Sequence, residues 1–362
     1  ADEVWTRTVL LLVVAFPGLY SGTVRVSNDA LAAPVACGML ACLIGVLETK
    51  RSVFLLGLSA LLAVGLWTKA FFIPLSVGTL AVLCINRRFR ETLYVLPGVG
   101  VGMIWYARNW MWTGSATGLP ETVLSGSSVG TSIQALAKID WLNVANVIRF
   151  SHIWIGNWSF LNVRSWMYQV ISWMFLLAIA GCLGGLVWRS NFPRRALVAL
   201  LVNYILFTAA LAYYAAQVFQ HSGASVAQGW YLSSMIPAEA VLFAAGARSL
   251  FERNWPVYVA VFGLFLLVLN VYADFFVMFP YYSGLIAHAA SGHLQTFHPS
   301  PGDFQTMLDR LLRFQPWLPR LSVMLLVGFY VCVVLWSVIS LGRMRGQLRA
   351  ATASYDRGLD PA

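Results

Sequence analysis

Apolar residues run through this chain in blocks long enough to cross a bilayer, separated by short polar clusters. The blocks fall at about 8–22, 30–47, 53–67, 70–85, 92–108, 168–188, 196–215, 230–247, 256–278 and 320–341. The third and fourth are shorter than the ~20 residues a bilayer requires, and only Thr68-Lys69 parts them. They are read as two helices, because in one bent helix Lys69 would sit at mid-bilayer, where charge is costly. The pattern predicts an all-α integral membrane protein of about ten transmembrane helices. Residues 1–342 form the membrane domain, with long loops at roughly 109–167 and 279–319. A polar tail, 343–362, is expected to be unstructured, its arginines drawn to anionic lipid.

Composition agrees with the pattern: 59% of the 362 residues are hydrophobic and 10% are charged, against roughly 25% charged in soluble domains. The net charge of +10 changes meaning once its carriers are located. With the amino terminus inside and ten crossings, 15 of the 24 arginines and lysines fall on the inner side, ten of them in the short segments "ETKRS", "NRRFR", "WRSNFPRR" and "ARSLFERN". Short basic loops mark the cytoplasmic side, so the charge is expected to reflect topology in a cell membrane with both termini cytoplasmic, and nucleic-acid binding is excluded. The two long loops then face outward. Cys37, Cys42, Cys84, Cys182 and Cys332 all lie in apolar blocks, where cysteine serves as a small hydrophobe. "GVGVG" (98–102) lies within a block as well, where small residues allow helices to pack closely.

Candidate chemistry concentrates on the outer side. "WYARNWMWTG" (105–114) closes the fifth block with Arg108 among Trp105, Tyr106, Trp110 and Trp112. This is either an aromatic belt with a snorkelling arginine or an anion site, since guanidinium offers five fixed donors. "SHIWIGNWSF" (151–160) and "VRSW" (163–166) repeat the mixture with Trp154, Trp158 and Arg164. Tryptophan faces stack on sugars and arginine holds phosphate, so a sugar phosphate suits both. Asp29 is either a base or a first-turn acid favoured by a helix dipole. Glu239, in "MIPAEAVLF", is expected about 12 Å below the outer end of its helix at 1.5 Å per residue. It is either functional or an ion-paired strut between helices. Asp274 reads as interfacial, and Pro17, Pro74, Pro97 and Pro237 as sources of kinks. The histidines lack the cysteine or clustered acid partners of a zinc site, and no nucleotide-binding or hydrolase motif stands in a supporting context.

Four segments, "VSNDALAAPVACGML" (26–40), "LLAVGLWTKAFFIPLSVGTLAVL" (61–83), "WYARNWMWTG" and "IWIGNWSF", together resemble bacterial GT-C-type membrane glycosyltransferases of the dolichyl-phosphate-mannose-protein mannosyltransferase kind. Their order over about residues 20–250 carries the resemblance, through patterns similar to N-D-A-L, L-T-K and W-Y-x-R-N-x-x-x-x-G. It implies a multi-pass transferase that moves a sugar from a polyprenyl-phosphate donor to an acceptor on the outer face. A carboxylate would serve as general base and basic groups would hold the departing phosphate. Asp29 and Glu239 are the candidate catalytic residues. Lys69 matches the lysine of L-T-K, and Arg108 with Asn109 the R-N pair. Trp105, Trp154, Trp158, Arg164, Gln228 and Tyr231 complete the candidate donor site. The donor is the only small molecule implied; no metal ligand is assigned, and an accessory divalent metal stays open.

Two departures bear on activity. Relatives carry Q-G-R-Y-L where this chain reads "QGWYL", with Trp230 in the arginine position. In addition, "ADEVWTRTVLLLVV" resembles the cytoplasmic approach to the third span of a complete relative, which implies that the first span and an acidic first outer loop lie upstream of residue 1. The chain by itself is then expected to transfer little sugar without that segment or a partner chain. A flippase for an amphipathic lipid, or a non-catalytic membrane partner of the same fold, are the rival readings.

Overall fold

The computed structural model describes residues 3–19, 28–49, 51–118, 129–154, 161–189, 192–289, 294–313 and 319–357. Among these no strand occurs, and a single isolated bridge joins His288 to Leu294. The helices are α1 (Glu3–Ala15), α2 (Asn28–Glu48), α3 (Ser52–Thr68), α4 (Phe72–Ile85), α5 (Phe89–Thr113), α6 (Val129–Leu136) and α7 (Trp141–Ile153). They continue as α8 (Ser165–Trp188), α9 (Arg194–Ser222), a 3-10 segment (Gly229–Met235), α10 (Ile236–Phe251), α11 (Trp255–Tyr272), α12 (Asp303–Leu312) and α13 (Arg320–Arg357). A π-turn, Ala273–Met278, and a last short helix, Phe279–Tyr282, extend α11.

Among the described residues five stretches are long and apolar enough to cross a membrane: Asn28–Glu48, Ser165–Trp188, Arg194–Ser222, Trp255–Tyr282 and Arg320–Ser340. Helices α3 and α4 are apolar but shorter. They are indeed separate, breaking at Lys69, whose extended backbone ends α3. Helix α13 supports a membrane setting strongly, because only 6% of its apolar window is buried inside the molecule. Leu325, Leu326 and Phe329 stand exposed along it, a surface that water would penalise and lipid accommodates. The same helix continues through Arg357, so 343–357 is helical and not an unstructured tail. Leu, Arg, Gln, Met and Ala dominate that stretch and all favour helix.

Two compact units divide the chain. One comprises 1–17, 153–185 and 243–362; the other comprises 18–152 and 186–242. In the first unit, α1 packs with α11 and α13. The Asn270 amide there donates to the Ala15 carbonyl at 2.9 Å and to the Tyr330 hydroxyl at 2.7 Å, tying three helices with one buried side chain. Phe243, Phe262 and Phe175 interlock in the same unit.

The second unit holds most of the candidate site. Its helix α3 packs against α2 and α5, while α9 packs against α4 and α6. Gly98 and Gly102, one turn apart, make the α3–α5 contact possible: a Cβ at Gly98 would overlap the Ser59 carbonyl, and one at Gly102 would lie 2.6 Å from the Leu66 Cβ. Gly100 faces open space. Leu58, Leu62, Leu66, Phe72, Leu75 and Phe207 fill the core. Pro74 and Pro237 stand in the first turns of α4 and α10, where proline's missing N–H is harmless, so they start helices and do not kink them.

Candidate functional site

Three residues from three separate motifs meet in the second unit. Asn28 and Asp29 open α2, so Asp29 lies in a first turn, where the helix dipole favours its charge. Lys69 lies in the break after α3, and the Asn28 amide donates to the Thr68 carbonyl at 3.1 Å, holding the two elements together. Lys69 Nζ pairs with Asp29. The ammonium also lies 5.2 Å from the Tyr231 ring centroid and 5.4 Å from that of Phe71, within cation–π reach. Tyr231 in turn meets Tyr214 edge-on. The pair is partly sheltered, with side-chain exposures of 19% for Lys69 and 16% for Asp29. An ammonium has three donors, so Asp29 leaves Lys69 able to bind an anion as well.

A second cluster surrounds Glu239. The 3-10 segment 229–235 runs straight on into α10 at Ile236, and Glu239 stands in the first turn of α10. It is 6% exposed. The Tyr204 hydroxyl donates to its Oε1 at 2.8 Å, and His152 Nε2 lies 2.9 Å from its Oε2, donating in the tautomer with Nε2 protonated. Both oxygens are thus engaged, as a buried carboxylate requires. Sequence reading had paired neither His152 nor Tyr204 with this acid. Their separations, 87 and 35 residues, give no local signal.

Around these clusters α7 runs beside the segment that leads to Glu239. Asp140 caps α7, accepting from the Asn143 N–H at 3.0 Å. The Asp140 N–H donates to Ser225 Oγ at 3.1 Å, and the Asn143 amide to the Ser225 carbonyl at 2.8 Å. At the far end of α7 the Gly229 N–H donates to Ser151 Oγ at 2.7 Å. Glycine is required there: a Cβ would overlap the Ile148 carbonyl and lie 2.6 Å from the His152 nitrogen. Between these anchors, Gln228 Oε1 is buried with no hydrogen-bond partner among the described residues.

The remaining candidates make contacts of their own. Arg108 is exposed, its guanidinium carbon 3.9 Å from the Trp112 ring centroid and 5.3 Å from that of Trp105. Stacking uses the faces of the cation and leaves its N–H edge outward. The helix ends just beyond, where Gly114 adopts φ 72° and donates to the Trp110 carbonyl. Tyr106 points the other way, its buried hydroxyl donating to the Leu66 carbonyl at 2.8 Å. Asn109 supports this corner through the Ala116 carbonyl at 3.4 Å. Trp154, which is buried, and Arg164, which donates to the Tyr272 hydroxyl at 3.0 Å, belong to the other unit. Trp158 lies outside the described residues. Among the described residues no group of three or more His, Cys, Asp or Glu side chains could hold a metal ion.

No protein-family model matches the chain, nor does any curated protein or solved structure.

Proposed function

We propose that the protein binds a polyprenyl-phosphate-linked sugar at Lys69 and transfers the sugar, with Arg108 and its tryptophans receiving the headgroup at the exposed end of α5. The observation that carries this reading is the meeting of Asp29, Lys69 and Tyr231, which the sequence resemblance picks out in three different motifs. An ion pair also supplies a means of coupling binding to chemistry. A donor phosphate competes for Lys69, and Asp29, relieved of its partner, becomes the stronger base. Asp29 then takes the proton of the acceptor hydroxyl, whose oxygen bonds to the sugar's anomeric carbon. The bond from that carbon to the phosphate oxygen breaks, and the phosphate leaves with the electron pair, stabilised by Lys69. In this reading the sugar packs near Gln228, whose buried acceptor suits a hydroxyl donor.

The reading is tested with the full chain in nanodiscs. Lys69→Met should abolish polyprenyl-phosphate binding, and Asp29→Asn should retain or tighten it while removing transfer. Arg108→Lys should weaken it through loss of the bidentate fork. Binding unchanged in all three variants would end the proposal. Binding without transfer, by the wild-type chain alone and again with the upstream segment or partner chain supplied, would remove the catalytic role of Asp29 and favour a lipid flippase or a non-catalytic partner.

A further inference from the structure

We infer that α7 is a clasp that sets the position of Tyr231, and through it the geometry of Lys69. This rests on the reading of Lys69 as the donor-phosphate contact. The 3-10 segment Gly229–Met235 carries Tyr231 and is held along α7 at three points. The start of α7 grips Ser225 through Asp140 and Asn143, Ser151 grips Gly229, and His152 grips Glu239 just past the segment's end. Two consecutive residues, Ser151 and His152, therefore fix the two sides of a short helix whose 3-10 hydrogen bonds alone hold poorly. The His152 contact is carried by a carboxylate that Tyr204 anchors from α9, so it cannot drift with the segment it restrains.

Tyr231, between the last two grips, presents its ring to Lys69 Nζ at 5.2 Å. Together with Asp29 and Phe71 it confines an ammonium that on an unrestrained four-carbon stem would sample many rotamers. A cation held in one place binds phosphate with less ordering cost. His152 is thus a positioning residue: it acts on the donor through Glu239, Tyr231 and Lys69 without touching it.

The test places 3-fluorotyrosine at position 231 of the full chain in nanodiscs and follows its fluorine resonance in parallel with polyprenyl-phosphate binding. His152→Phe keeps the ring's bulk and removes the hydrogen bond; Ser151→Ala removes the grip on Gly229. Each should shift or broaden the resonance and weaken binding about two- to thirty-fold, the span of one lost cation–π contact. His152→Gln, which can still donate to Glu239, should restore both. Gly98→Val loosens α3–α5 packing away from the clasp and should leave the resonance in place despite lowering stability. An unchanged resonance in His152→Phe and Ser151→Ala, or an equal change in Gly98→Val, would overturn the clasp. Because the resonance needs no ligand, a shifted resonance with no polyprenyl-phosphate binding by any form upholds the clasp and removes the donor assignment.

Discussion

Removal of the Glu239 carboxylate is the most demanding perturbation this structure offers. In Glu239→Ala the Tyr204 hydroxyl and the His152 imidazole both lose their partner in a site where Glu239 itself is 6% exposed, so water does little to compensate. Each buried donor left without a partner costs about 1–3 kcal/mol of desolvation, so the two together cost about 2–6 kcal/mol. Tyr204→Phe deletes one donor and leaves the carboxylate its contact with His152. Its cost is bounded above by the ~1.5–3 kcal/mol of a hydrogen bond to a charged group. It is bounded below by the ~0.6 kcal/mol typical within a membrane, where the unfolded chain also finds partners. Glu239→Gln should cost about 1 kcal/mol, because its carbonyl still accepts from Tyr204 and a tautomer change lets His152 accept from the amide. A Glu239→Ala cost above those of both Tyr204→Phe and Glu239→Gln is therefore the signature of a satisfied buried cluster. Thermal unfolding in detergent, followed by far-ultraviolet circular dichroism, measures it. Glu239→Ala within about 0.5 kcal/mol of wild type, the scatter of ordinary surface substitutions, would refute the reasoning.

Two further outcomes are expected. Cysteine introduced at position 130 should react with a membrane-impermeant reagent added from outside, whereas one at position 90 should not; the reverse pattern would invert the proposed orientation. The Asp303 carboxyl, which accepts from both the N–H and the hydroxyl of Ser300, is held below its ordinary value of 3.8 by those bonds. Their contribution is accordingly complete above 3.8 and lost as pH falls through the lowered folded value. The Ser300 amide resonance should follow this course and lose it in Asp303→Asn, and a midpoint at or above 3.8 would contradict the assignment.

The helical, membrane-suited character of the chain was legible in its sequence because it rests on local quantities: block length, apolar content and the charges between blocks. The same local reasoning separated α3 from α4 at Lys69 and assigned Gly98 and Gly102 to packing, though not Gly100, which faces open space, since a lysine at mid-bilayer and a Cβ between close helices are costly in any fold. Partners across long separations were not legible. Lys69 and Asp29 stand 40 residues apart, and nothing in either segment names the other. The partners of Glu239 were hidden for a related reason. Its block is apolar enough to read as one helix from residue 230, but tertiary contacts decide the winding. Gly229, pressed against the Ile148 carbonyl, and Pro237, suited to a first turn, let 229–235 tighten into a 3-10 segment, and α10 starts late. That winding leaves the acid facing His152 and Tyr204. Composition predicted how deep such a residue should lie, and only packing determined what it touches.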